Sequence, residues 1–187
     1  GMKDMGDSYG FASGMSNFAN AGICNGEIIG FGMGFGGGNN FGNGNETVKY
    51  YIYLDTDGNT TGGCALNHNS SATGYEFFFK YISSYNSSLG KSTETFNAQK
   101  CSSSSWVVTD ISLSAWKEKM CGEIQGPMIA VKKTDLEKFP TLYDSEKDIR
   151  IFVASAGANN NASNPSDTAG PGWITPGAVD FPIQGFF

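Results

Sequence analysis

The chain of 187 residues contains one histidine, His68. Four cysteines stand at positions 24, 64, 101 and 121, and none forms a C-x-x-C pair. With so little imidazole and no paired thiols, the sequence argues against a zinc site. G-x-S-x-G, H-E-x-x-H and any histidine-based triad are also missing. Acid–base chemistry would fall to carboxylates alone, and the chain is expected not to be an enzyme. No apolar run approaches the roughly 20 residues that span a bilayer, so this segment is not expected to insert into a membrane. Lysine and arginine are scattered, the formal charge is −6 and the pI is about 4.7. That balance excludes nucleic acid and an anionic membrane surface as partners. The glycine-rich run from Gly36 to Asn45 leads into neither G-K-[ST] nor a helix, which argues against a phosphate cradle. No export signal is visible. The opening Gly1-Met2 reads as a cloning remnant, so that gap excludes nothing.

What is present is apolar and strand-forming. Hydrophobic residues make up 39% and aromatics 13%, enough for one domain with a substantial core. Residues 1–22 read as a flexible N-terminal arm and residues 23–187 as a single domain. Residues 27–35 alternate glycine with large side chains, as in a strand packed close to another backbone. Val48 to Leu54 is a strand with Val48, Tyr50, Ile52 and Leu54 on one face. In the strand read over 73–83, Tyr75, Phe77, Phe79 and Tyr81 share a face. Further strands are expected at 93–100, 106–110, 123–131 and 149–155. Thr134-Asp-Leu-Glu137 has the form of a capping box and predicts a short helix. Residues 157–178 read as a long packed loop. Short strands, dense turns and almost no helical periodicity argue an all-β fold. An antiparallel β-sandwich with at most one or two short helices is expected.

The even cysteine count in a Gly-, Ser- and Asn-rich chain suggests two disulfides and an oxidising compartment. The expected pairing is Cys101–Cys121 with Cys24–Cys64, because the first pair brackets an apparent hairpin. Sequons at Asn45, Asn59, Asn69, Asn86 and Asn161 fit an exported surface.

The strand at 50–54 runs into Asp55-Thr-Asp-Gly-Asn-Thr-Thr-Gly-Gly63. Asp55, Asp57 and Asn59 place oxygen ligands two residues apart on a turning loop, which suits a hard cation, Ca²⁺ above all. The loop is not an EF-hand. That pattern needs glycine where Thr60 stands, glutamate where Leu66 stands, and a helix where a strand precedes. The competing reading is an Asx-rich turn whose side chains cap their own backbone.

In sequence order, the Leu54–Gly63 loop precedes Gly74-Tyr-Glu76, Thr134-Asp-Leu136, Ile149–Ser155 and Ser166–Gly172, with Gly177-Ala-Val-Asp180 last. Over residues 27–181 this resembles the DOMON-like sandwiches that include family 9 carbohydrate-binding modules. The resemblance implies a jelly-roll-like sandwich, often with bound calcium, on secreted or surface-anchored proteins. It implies that Asp55, Asp57 and Asn59 form the cation loop, with Thr61 offering a carbonyl and Glu76 closing the shell. Asp167 and Asp180 are further, lower-ranked ligands.

The resulting expectation is a non-catalytic, calcium-stabilised module in a secreted or surface protein. Its partner would be a glycan or another surface protein. As a carbohydrate-binding module, its site would centre on Trp173 in the Gly-Pro-Gly-Trp stretch, whereas Trp106 and Trp116 read as packing residues. The remaining alternative is a haem-binding electron-transfer domain using His68 and methionine, because some DOMON-like domains hold haem that way.

Overall fold

The computed structural model describes residues 3–4, 16–24, 28–35, 46–115 and 128–174. Among these residues, eleven strands and one short helix follow in the order β1 (Lys3–Asp4), β2 (Ser16–Cys24), β3 (Ile28–Phe35), β4 (Glu46–Asp55), β5 (Phe77–Asn86) and β6 (Lys91–Ser102). After them come β7 (Ser105–Val108), β8 (Ser114–Ala115), β9 (Met128–Lys132), α1 (Lys133–Leu136), β10 (Ile149–Ala156) and β11 (Asp167–Ile174). They form two antiparallel sheets, one in the order β1-β2-β3-β9-β8 and one in the order β11-β10-β4-β5-β6-β7. The fold is all-β and sandwich-like.

Alternation along β4 explains the layering. Val48, Tyr50, Ile52 and Leu54 face a core shared with Phe77 and Phe79 of β5, Ile149, Ile151 and Val153 of β10, and Ile29 and Phe31 of β3. That core therefore draws on both sheets, and Phe31 meets Phe79 edge-on at 6.2 Å between ring centres. The opposite face of β4 is buried as well. Tyr51 and Tyr53 join Phe78, Leu66, Tyr75 and Ala162 in a second apolar cluster. A strand buried on both faces reads as a near-continuous apolar run, as Tyr-Tyr-Ile-Tyr-Leu does.

Four expectations need correction. The segment read as an arm contains β1 and most of β2, which pairs along β3 from Ser16 to Cys24. Its small residues disguised the strand: Ala21 pairs with Phe31, Gly22 with Gly30 and Ala19 with Met33. The long loop at 157–178 contains β11, an edge strand on β10. Its Gly-Pro-Gly composition reads as loop because an extra residue is accommodated there, where the register shifts between Ile151 and Val153. The face assigned to Tyr75 is also wrong. The regular ladder starts only at Phe77, and Tyr75 joins the second cluster instead. Lastly, α1 is one turn long and begins after Lys132 with no side-chain cap, so Thr134 does not cap it.

The disulfide likewise differs from expectation. Cys64 is bonded to Cys101, not Cys24 to Cys64 or Cys101 to Cys121. Cys101 lies near the end of β6, paired with Trp106 of β7 across a two-residue turn. Ser103 and Ser104 both have positive φ there, the geometry of a tight hairpin turn. Cys64 reaches the same place because it bridges Tyr75, and the Cys101 N–H donates to the carbonyl of the next residue, Glu76. The side chain of Cys24 and all of Cys121 lie outside the described residues.

Candidate metal centre

The loop after β4 is held by its own side chains. Gly58 N–H donates to Asp55 Oδ1 at 3.0 Å, and Asn59 N–H donates to Asp57 Oδ1 at 2.7 Å. Asn59 Oδ1 accepts from Thr61 N–H, Thr61 Oγ1 and Gly62 N–H. These are Asx-type turns, in which a short polar side chain satisfies the backbone that a strand would have paired.

Strand register then brings distant residues into one row. Asp55 pairs with Arg150 of β10, and Arg150 pairs with Trp173 of β11. On the other side, Glu76 N–H donates to the Leu54 carbonyl at 2.8 Å, which seats Glu76 beside the start of the loop. Carboxylate oxygens of Asp55, Asp57 and Glu76 lie within 4.8 Å of one another. Asp55 and Glu76 are each 1% exposed, whereas Asp57 is half-buried.

Each carboxylate has a different supporting cast. Asp55 Oδ2 accepts from Arg150 Nε at 2.9 Å. Glu76 Oε2 accepts from Thr56 N–H at 2.8 Å, but its Oε1 is buried with no hydrogen-bond partner. Oε1 faces the α-carbon of Gly63, where a Cβ would lie 2.5 Å from it. Gly63 also has φ of 65°, so two independent constraints exclude a side chain there.

Burial pushes the Glu76 carboxyl up to about 8, and the charges of Asp57 and Asp55 push it the same way. Burial also raises Asp55, with Arg150 opposing it. Three carboxylates this close and this dry cannot all ionise without compensation. A hard cation bound by oxygen ligands supplies that compensation, so Asp55, Asp57 and Glu76 could hold one.

The remaining expected site residues stand apart from these three carboxylates or lie outside the described residues. Asn59 and Thr61 are exposed, and the Asn59 oxygen already serves three donors of its own turn. The backbone of Asp167 pairs with Ser155, but its side chain is not among those described, and Asp180 and Trp116 lie outside the described residues. Trp106 packs against both rings of the stacked Tyr53–Phe78 pair, and its indole N–H donates to the Ala65 carbonyl. Trp173 is 42% exposed and borders a cleft of about 400 Å³ with Asp55, Thr60, Lys147, Asp148 and Arg150. His68 lies half-buried against the Phe152 ring, 5.5 Å away.

Sequence reasoning gave Arg150 no role. It is the sole arginine of the chain, set in the apolar strand Ile-Arg-Ile-Phe-Val. Besides pairing with Asp55, its Nη2 donates to the Thr73 carbonyl at 2.9 Å and its guanidinium lies 4.6 Å from the Tyr75 ring centre. A lone charge in an apolar strand was the available signal, because such a group needs a buried partner.

No protein-family model, curated protein or solved structure matches the chain.

Proposed function

We propose that this chain is a non-catalytic, extracytoplasmic β-sandwich module, stabilised by Ca²⁺ and serving a binding or structural role in a secreted or surface protein. The observation that carries this reading is the convergence of Asp55, Asp57 and Glu76, with Glu76 Oε1 buried and unpartnered. The Cys64–Cys101 disulfide supports an oxidising compartment. Among the described residues, no helix is long and apolar enough to cross a membrane. The likeness to DOMON-like sandwiches is part of the same proposal.

An ion that binds only the folded state stabilises it by ~2.7 kcal/mol at a hundredfold excess over Kd. Millimolar Ca²⁺ added to chelator-treated protein should therefore raise the melting temperature by roughly 5–11 °C. Identical melting curves with chelator and with calcium would leave only a self-capped turn.

A second reading, glycan binding, is favoured by the half-exposed indole of Trp173 beside a cleft lined with polar side chains. An aromatic face packs against sugar C–H groups while the rim supplies hydrogen bonds. Retention of an oligosaccharide on a glycan array, without turnover, is the expected result.

A further inference from the structure

We propose that Arg150 sets the charge of the carboxylate cluster so that it takes one divalent cation. This rests on the cation reading above and adds what selects the ion. Ionised Asp55, Asp57 and Glu76 carry three negative charges, and the guanidinium bonded to Asp55 offsets one of them. Arginine does not lose its proton under protein conditions, so this offset is permanent. Two negative charges remain, which one divalent cation neutralises. A monovalent ion leaves a negative charge behind, and a trivalent ion leaves a surplus positive one. Either remainder is costly, because Asp55 and Glu76 are buried.

The geometry keeps this charge in place. Arg150 Nε is 2.9 Å from Asp55 Oδ2, its Nη2 holds the Thr73 carbonyl, and its face rests on Tyr75. Lys147, the other cation beside this loop, packs its stem along Gly58 and makes no ion pair with the three carboxylates.

The test is a comparison of Ca²⁺ binding by calorimetry with Tb³⁺ binding by luminescence, on the full chain. The neighbouring tyrosines serve as sensitisers. The unmodified protein should bind one Ca²⁺. Arg150→Gln restores the third negative charge, and the ratio of Tb³⁺ to Ca²⁺ affinity should rise about tenfold or more, as expected for a unit charge at this range. Asp57→Asn removes a negative charge at a half-exposed position that the core does not need, and the same ratio should fall by about tenfold. Should Arg150→Gln fail to fold, Arg150→Met, which keeps the aliphatic stem beside Tyr75 and also removes the charge, makes the same test. Ca²⁺ binding with a ratio that the variants leave unmoved overturns the role of Arg150 and leaves the cation reading standing. An unmodified protein that binds neither ion overturns both.

Discussion

Among single residues, Glu76 and His68 show opposite consequences of burial. Glu76 is buried among like charges and holds its proton far above the usual carboxylate range. His68 is a base, so burial lowers it below its ordinary 6.5. Its Nδ1 is buried with no hydrogen-bond partner. Well above pH 6.5 the ring is neutral in both the folded and the unfolded chain, and stability on its account is complete. As pH falls below 6.5, the unfolded chain takes up the proton first and stability drops. His68→Phe keeps a ring against Phe152 and removes the titration. The melting-temperature difference between the variant and the unmodified protein should therefore widen below pH 6.5 and stay constant above it. A difference that is constant throughout would remove His68 from the acid response. Asp55 and Asp57 were legible from their spacing alone. Arg150 was not, because a strand arginine declares a partner only when the opposing strand is known.

At the level of elements, β4 and β10 were readable because apolar alternation and β-branched residues are local properties. β2 and β11 were not, since glycine, alanine and proline carry little strand signal and pairing alone decides their state. The recovery of β11 as an edge strand changes how Trp173 is read. It is not the tip of a free loop but a side chain in register with Arg150. On an edge strand with 42% of its surface exposed, the indole contributes only part of its area to packing. Trp173→Ala should cost about 1 kcal/mol, or roughly 2–4 °C of melting temperature, while abolishing any glycan binding. A far larger loss in thermal melts would mean that the ring is structural rather than a contact surface.

For the molecule as a whole, the Cys64–Cys101 bond ties the segment between the cation loop and Tyr75 to the far end of the β5–β6 ladder. It closes a separation of 37 residues. The chain-entropy model gives such a closure roughly 4 kcal/mol. Cys64→Ala with Cys101→Ala should then lower the melting temperature by roughly 8–16 °C. Peptide mapping without reductant should recover residues 64 and 101 in one linked species. Free thiols at 64 and 101 would contradict both the bond and the oxidising compartment that it supports.

Sequence alone determined what depends on neighbours along the chain. The all-β class follows from alternation, and the oxygen-rich loop follows from Asp55 and Asp57 standing two residues apart. Only the tertiary structure decided what depends on register between strands. Register placed Arg150 opposite Asp55, seated Glu76 against Gly63 and turned Tyr75 away from Phe77. It also brought Cys64 to Cys101 rather than to the partner that chain order suggested. Side-chain direction in a strand reverses with every residue, so a break such as the one before Phe77 sends each residue beyond it to the other face. No local pattern carries that information.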